Sequence, residues 1–372
     1  MTETKSNSAT VRAALAFIII TGIVLLLVYA KSLLIPIVVS SYFAMLMFPL
    51  VSWFERKKVP RVLAITITML IGLGVVVGVS WFFAQQIGSF GADLGGIQVR
   101  LDEVTGELST WLRKNLGIKQ KLSFNDLDKK AIAYLQNNAE KVGGMAFSTL
   151  GSLTIAILIP VYLFMFLLYR DHFTQFIIRL FDNQDPQRVI EIVTDLRQVI
   201  QKYISGMLKV MLILAVMNSI AFFSLGIKHA LFFAVFAAIL NVVPYVGPLV
   251  GSIIPITYAL LTKDSIWYPI GVFLSFHVIQ TIEGNFLTPK IVGSNVSLNP
   301  VTSLVALLLG GYIWGVAGMV IFIPAAAILK KILELHPSTK DYGFLMGEED
   351  TEFRRKHGIL VRFMRRKKGQ PN

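Results

Sequence analysis

The amino-acid sequence predicts an all-α fold: a polytopic membrane helical bundle with broken or re-entrant helical hairpins. Hydrophobic residues make up 55% of the chain and charged residues only 15%, whereas roughly 25% of the residues in a soluble domain are charged. The apolar residues also fall in blocks of about 20, the length that a helix needs to cross ~30 Å of hydrocarbon. Two later blocks are too long for one crossing and contain helix breakers in the middle, which predicts hairpins.

Five apolar blocks of spanning length come first along the chain. They cover residues 11–30, 33–54, 61–84, 146–169 and about 207–227. The first block is longer than the core of a typical signal peptide, and only Lys31 and Ser32 separate it from the second block, so we expect a retained helix. The second block carries Pro36 and Pro49 near its ends, where a missing backbone donor does least harm or leaves a kink.

Basic residues between the apolar blocks predict the orientation in the membrane. Four of them crowd the short connection between the second and third blocks: Arg56, Lys57, Lys58 and Arg61. Short loops rich in lysine and arginine stay on the cytoplasmic side, so we expect both termini to be cytoplasmic. Residues 85–145 should then lie outside and residues 170–206 inside. The expected location is the bacterial cytoplasmic (inner) membrane.

This layout divides the chain into five regions. They are an N-terminal three-helix membrane region (1–84), an extracytoplasmic amphipathic helical segment (85–145), two spans joined by a cytoplasmic helix (146–227), a broken-helix region (228–333) and a basic cytoplasmic tail (334–372). The helical spacing of Leu101, Val104 and Leu108 in the second region is typical of an amphipathic helix.

The broken-helix region contains three apolar stretches: residues 230–262, 266–285 and 300–333. An odd number of crossings is needed here, because the chain is outside near residue 228 and is expected to finish inside. Two hairpins flanking one crossing at 266–285 satisfy this condition, and three kinked crossings satisfy it equally. Irregular backbone at membrane depth is tolerated only inside protein or beside a wet cavity, so either solution predicts a functional site at the breaks.

The polar residues of this region are candidates for that site. A carboxylate at membrane depth is costly unless it is paired or hydrated, which makes Glu283 a functional candidate. The alternative is that Glu283 lies at the headgroup level and pairs with Lys290. We expect the substrate or ion pathway to be lined by Asn241, Tyr245, Gln280, Glu283 and Asn285. We expect the backbone there to be shaped by Pro244, Gly247, Pro248, Gly284 and Pro289.

Several classes of function are not predicted. The chain contains no cysteine, which excludes disulfides and cysteine metal sites. It has no Walker A loop, no H-E-x-x-H motif and no G-x-S-x-G elbow, so we predict no catalytic residues, no metal and no cofactor. The basic residues behind the net charge of +13 lie mainly between apolar blocks and in the tail. There they indicate topology and contact with lipid headgroups, not nucleic acid.

Longer motifs in the sequence resemble those of a known family. They are Pro244-Tyr-Val-Gly-Pro248, the run from Ile282 to Gly293, Ser297-Leu-Asn-Pro300, and Gly310 to Gly318 followed by Ile323-Pro324. The opening of the chain, with Pro36, Pro49 and Pro60-Arg61, is also similar. Together these features resemble the autoinducer-2 exporter-like family, or PerM-type permeases, over residues 11 to about 333.

The resemblance implies a membrane permease. Some members of the family are linked to export of the signalling molecule autoinducer-2, and others to exchange of sodium or lithium for protons. We therefore expect a secondary transporter that exports a small polar solute, with a sodium(lithium)/proton antiporter and a non-transporting structural or regulatory protein as alternatives. The implied partners are the lipid bilayer, a small-molecule or cation substrate, and further copies of the chain in a homo-oligomer such as a pentamer.

Overall fold

A computed structural model describes residues 3–116, 152–180, 186–244, 246–293, 298–335 and 337–348. These residues confirm the all-α prediction, because their regular elements are helices joined by short turns. The α-helices are α1 (Glu3–Tyr29), α2 (Lys31–Arg56), α3 (Arg61–Leu116), α4 (Ser152–Leu168), α5 (Arg170–Leu180), α6 (Pro186–Ser224), α7 (Ala230–Leu240), α8 (Val246–Thr262), α9 (Trp267–Ile282), α10 (Pro300–Leu335) and α11 (Lys340–Met346). Two π-helical turns, Glu283–Leu287 and Pro289–Gly293, continue α9.

The apolar helices make this a multi-pass membrane protein. Among the described residues, 5 helical segments are long and apolar enough to cross a bilayer. They are Lys31–Arg56, Arg61–Gln86, Val189–Ser224, Trp267–Val292 and Pro300–Leu335, of which the last meets the criterion by length and composition only, because it folds back on itself at Gly315. A sixth candidate is the pair formed by α4 and α5, which is bent by 65° where the two helices meet. Large apolar side chains on these helices are exposed, as expected for surfaces that face lipid.

The first long apolar stretch folds back as a hairpin of α7 and α8. A Cβ atom on Gly251 would lie 3.1 Å from the Cα atom of Ala237, and one on Gly247 would lie 1.8 Å from the carbonyl oxygen of Leu240. These contacts pair later positions of α8 with earlier positions of α7, so the helices are antiparallel. Turns at residues 241–244 separate the two helices. The chain enters and leaves this hairpin at one end.

The second long apolar stretch, α10, also folds back on itself. Gly315 has φ 62° and ψ −142°, a conformation outside the helical region that glycine adopts most readily. A Cβ atom on Gly310 would lie 2.2 Å from the carbonyl oxygen of Gly318, although eight residues of straight helix would separate the two by ~12 Å. The structure thus has two hairpins flanking one crossing, not three kinked crossings.

The N-terminal helices pack around the second hairpin. The Trp314 indole near the tip of α10 donates a hydrogen bond to the carbonyl oxygen of Leu27 in α1 at 2.9 Å. The Tyr42 hydroxyl of α2 donates to the carbonyl oxygen of Ile321 at 3.3 Å. The hydroxyl of the fully buried Ser40 in α2 donates a hydrogen bond to the carbonyl oxygen of Ile159 in α4 at 2.9 Å. These bonds hold the tip of the hairpin against α1 and its returning half against α2.

Helix α3 extends well beyond its predicted apolar block. It runs as one helix of 56 residues from Arg61 to Leu116, so no break separates the membrane region from the expected extracytoplasmic segment at residue 84. Residues 117–145 of that segment lie outside the described residues. Helix α6 is likewise continuous over 39 residues, so the expected cytoplasmic helix and the fifth apolar block form a single element.

Candidate functional site

The candidate site lies where the tip of the α7–α8 hairpin meets the end of α9. The regular α-helical hydrogen-bond pattern of α9 ends after Ile282, and the chain continues as π-helical turns. Pro289 gives a local reason, because it has no N–H group and crowds the carbonyl group four residues earlier. The N–H group of Thr288 instead donates to the carbonyl oxygen of Glu283, five residues before it. Such π-helical turns occur frequently at functional sites.

Four side chains form a polar cluster at this point. Glu283 is buried, with 9% of its surface exposed. The side-chain amide of Gln280 donates from Nε2 to Glu283 Oε2 at 2.8 Å and to Asn241 Oδ1 at 3.3 Å. The Thr288 hydroxyl donates a hydrogen bond to the other carboxylate oxygen of Glu283. We call Asn241, Gln280, Glu283 and Thr288 the Glu283 cluster.

The Glu283 cluster contains a carboxylate but no cationic partner. No lysine or arginine of the described residues forms an ion pair with Glu283, and the Lys290 side chain is exposed. The two neutral donors only partly replace water around a charged carboxylate, whose burial at membrane depth costs several kcal/mol when it is unpaired. The arrangement can therefore accept a proton, a cation or a hydrogen-bond donor from a solute.

Of the other predicted lining residues, the structure describes Asn285, which does not belong to the cluster. Asn285 is exposed, and its side-chain amide donates to the carbonyl oxygen of Thr281 at 2.9 Å. Tyr245 lies outside the described residues. The alternative, an ion pair between Glu283 and Lys290, is not formed in the part of the chain that the structure describes, where the carboxylate accepts hydrogen bonds from Gln280 and Thr288.

The residues predicted to shape the backbone lie in different settings. Pro244 ends the turns at the hairpin tip, and Pro248 lies in the first turn of α8, where a helix tolerates proline. Gly247 is buried against the carbonyl group of Leu240. Gly284 is exposed, and a Cβ atom added to it would have no neighbour within 4 Å. Pro289 is exposed and begins the second π-helical turn.

Sequence reasoning missed Thr288. In an α-helix, residues three or four apart share a face, so a threonine five positions after Glu283 is not expected to reach it. The π-helical register brings the two together, since its hydrogen bonds join residues five apart. The available signal was Pro289, which directly follows Thr288 and disfavours a regular ladder.

The elements that carry the cluster share an apolar core with α6. Buried residues of α6, α7, α9 and the second π-helical turn form one core: Tyr203, Val210, Leu214, Ala238, Ile279 and Val292. Ile323, from the returning half of α10, packs on the same core. A Cβ atom on Gly206 of α6 would lie 2.9 Å from the carbonyl oxygen of Ile291. Both hairpins and α6 therefore contact the elements that carry the cluster.

Comparisons with known proteins agree with the resemblance seen in the sequence. Residues 15–337 match the family model described as AI-2E family transporter. YrrI of Bacillus subtilis (strain 168), named as a candidate transport protein, is 24% identical over 317 residues, which cover 82% of this chain and 86% of YrrI. YhhT of Escherichia coli (strain K12), named in the same way, is 26% identical over 327 residues, which cover 86% of this chain and 89% of YhhT.

A further relative has a more specific name. The AI-2 transport protein TqsA of Escherichia coli (strain K12) is 23% identical over 333 residues, which cover 87% of this chain and 92% of TqsA. The family model matches most of the chain, including both hairpins and the Glu283 cluster, and this confirms the predicted family. On this evidence the chain belongs to the AI-2E transporter family.

Proposed function

We propose that this protein is a secondary transporter that exports a small polar solute across the bacterial inner membrane. Family membership supports a transporter role. The observation that carries the finer proposal is the Glu283 cluster, in which a buried carboxylate is held by neutral donors at the contact between a hairpin tip and a broken helix. Transport sites in other membrane proteins are built at such helix breaks.

The cluster suggests how a solute is recognised and released. The carboxylate of Glu283 and the side-chain carbonyl group of Asn241 are hydrogen-bond acceptors that suit hydroxyl groups or a cation. The Gln280 amide links Asn241 at the hairpin tip to Glu283 at the end of α9. Its hydrogen bond to Asn241, at 3.3 Å, is at the long end of the usual range. A solute that replaces this bond would let the hairpin tip move away from α9 and open the site to one side.

The relatives suggest a substrate to test first. One of them is named as an AI-2 transport protein, and autoinducer-2 is a small, polar solute. We propose it as the first candidate for export by this chain. The pathway would run through the broken-helix region, residues 228–333, with both termini in the cytoplasm. Assembly into a homo-oligomer is part of the same proposal.

A sodium(lithium)/proton antiporter is the second candidate function. The specific observation in its favour is again Glu283, because a buried carboxylate without a cationic partner can bind either a proton or a sodium ion. An antiporter of this kind would move Na⁺ in response to a pH gradient without autoinducer-2. A solute exporter would move autoinducer-2 whether or not it also uses such a gradient.

Purified protein in liposomes tests these proposals. Uptake of labelled autoinducer-2 into these liposomes and of ²²Na⁺ under a pH gradient should be compared for the wild type and Glu283→Gln. We expect Glu283→Gln to abolish the flux that the wild type shows, while expression stays near normal. The matched control is Glu191→Gln, because Glu191 is an exposed glutamate on α6, and its flux should equal that of the wild type.

The result also separates a transporter from a structural or regulatory membrane protein. Wild-type vesicles that move neither solute would favour the structural role if the culture medium of cells with and without the protein also had the same metabolites. A metabolite that accumulates in the medium only when the protein is present would instead identify another exported solute. Wild-type flux in Glu283→Gln would overturn the assigned role of the carboxylate.

A further inference from the structure

A second polar cluster lies away from the Glu283 cluster, at the end of α2 that carries the basic connection to α3. Its members come from four helices. They are Phe48 and Glu55 of α2, Arg61 of α3, Arg170 and Asp171 of α5, and Arg197 of α6. We call them the arginine cluster.

The arginine cluster contains more positive charge than its carboxylates balance. Arg170 Nη2 lies 2.5 Å from Glu55 Oε2, and Arg61 Nη1 lies 2.6 Å from Asp171 Oδ2. A third, longer contact joins Arg170 Nε to Asp171 Oδ1 at 3.7 Å, so both carboxylates are paired with Arg61 and Arg170. Arg197 forms no ion pair with any carboxylate in the described ranges, so one guanidinium group is left without a counter-charge.

Arg170 and Arg197 both lie against one aromatic ring. Their guanidinium carbons lie 5.0 Å and 4.3 Å from the centre of the Phe48 ring. Both cations are attracted to the ring, but they repel each other, and the repulsion is stronger away from bulk water. Arg170 Nη1 and Arg197 Nε are also buried without an acceptor among the described residues. An anion with several oxygen atoms would supply both the missing negative charge and the missing hydrogen-bond acceptors.

The position of the arginine cluster fits the lipid headgroup region. Arg170 begins α5, where the helix axis turns by 65° from that of α4. Five residues beyond Phe48 in α2, the Trp53 side chain is 47% exposed, and Lys57 Nζ lies 4.8 Å from its ring centre. Exposed tryptophan and lysine side chains are typical of the membrane–water interface. Phospholipid phosphates lie at this level.

We propose that Arg170 and Arg197 together bind a phosphate group at this interface. Guanidinium groups suit the task because their planar N–H groups match the oxygens of phosphate in pairs. Phe48 keeps the two guanidinium groups in position, and Glu55 holds Arg170 from the other side. The phosphate can come from an anionic phospholipid or from free phosphate in solution.

The full-length protein in detergent tests both sources. Native mass spectrometry should count the phosphatidylglycerol molecules that the protein retains, with galactosyl diacylglycerol as the comparison lipid without phosphate. The thermal unfolding temperature should be measured at increasing concentrations of inorganic phosphate. We expect Arg197→Gln to weaken phosphate or phospholipid binding on the order of tenfold, as for a lost charge-assisted hydrogen bond. The affinity of Arg197→Lys for phosphate or phospholipid should lie between those of the wild type and Arg197→Gln. The matched control is Arg179→Gln, since Arg179 is exposed on α5.

Each outcome decides the proposal. Selective retention of phosphatidylglycerol without stabilisation by inorganic phosphate supports the site with a lipid as its source. Stabilisation by inorganic phosphate that is lost in Arg197→Gln supports the site with a soluble source. Equal binding of both lipids and no effect of phosphate on the wild type would overturn the proposal, as would equal affinities of Arg197→Gln and Arg179→Gln. If Arg197→Gln does not fold, Arg197→Lys against the wild type provides the same comparison.

Discussion

Gln280 donates a hydrogen bond to Asn241 at 3.3 Å, although the two residues are separated by 39 positions in the chain. This bond joins the tip of the α7–α8 hairpin to α9 immediately before the helix changes register. It brings a side chain from the turn between α7 and α8 and one from the end of α9 into the same carboxylate-containing cluster. The bond is also one of the contacts that must break if the hairpin tip moves during transport.

Cross-linking should capture this contact. The chain contains no cysteine, so introduced thiols have no background. We expect Asn241→Cys with Gln280→Cys to be joined by a short bifunctional thiol reagent, because the two native side chains lie within hydrogen-bonding distance. Val278 is 56% exposed and lies ~200° around the helix from Gln280. Asn241→Cys with Val278→Cys is therefore the control, and equal cross-linking yields in the two pairs would contradict the contact.

Removing the Thr288 hydroxyl should impair transport. Thr288→Val keeps the shape of the side chain but removes a hydrogen bond to a carboxylate, which is worth roughly 1.5–3 kcal/mol. We expect the transport rate in vesicles to fall on the order of tenfold, and Thr288→Ser to restore most of it. Thr281→Val is the matched control, because the Thr281 hydroxyl bonds only to the backbone of its own helix. Equal rates in Thr288→Val and the wild type would remove Thr288 from the site.

Adding a methyl group at Gly247 should destabilise the first hairpin. The Cβ atom of Gly247→Ala would lie 1.8 Å from the carbonyl oxygen of Leu240, so the helices must move apart. We expect a loss of about 1–3 kcal/mol, measured as a lower thermal unfolding temperature in detergent. The matched control is Gly74→Ala, where nothing lies within 4 Å and alanine favours the helix. An unchanged unfolding temperature for Gly247→Ala would refute the close packing of α7 and α8.

Labelling of single cysteines should report the orientation. Asp264 lies between α8 and α9, Lys340 begins α11, and both side chains are exposed. The positively charged connection between α2 and α3 predicts that Asp264 is outside and Lys340 inside. We expect a membrane-impermeant maleimide to label Asp264→Cys in intact spheroplasts and Lys340→Cys only after permeabilisation. The reverse pattern would overturn the predicted topology.

The hairpins were predictable because their signals are local. Pro244 and Gly247 in one stretch, and the glycines from Gly310 to Gly318 in the other, interrupt apolar runs that are too long for one crossing. Local sequence could not distinguish hairpins from kinked crossings. It depends on whether two helix halves pack together, and the structure shows this through the contact between Gly310 and Gly318.

The side-chain partners were harder to predict because they depend on helix register and on distant elements. Glu283 and Gln280 are three residues apart, a spacing that places them on one helix face, and they do pair. Asn285 follows Glu283 by two residues, and the turn between them directs its side chain to the exposed side. Thr288 joins the cluster only through the π-helical register. No pattern in the sequence brings Arg170 and Arg197 to one ring, since three helices must meet first.

Helix α3 connects the membrane helices to residues that we expect to lie outside the bilayer. At ~1.5 Å per residue its 56 residues extend over ~84 Å, well over twice the ~30 Å thickness of the hydrocarbon layer. Its first turns pack against α2 and α4, and the same helix continues without a break over residues 85–116, which we expect to lie outside the bilayer. A force applied to its far end would therefore change the tilt of the whole helix and with it the packing against α2 and α4.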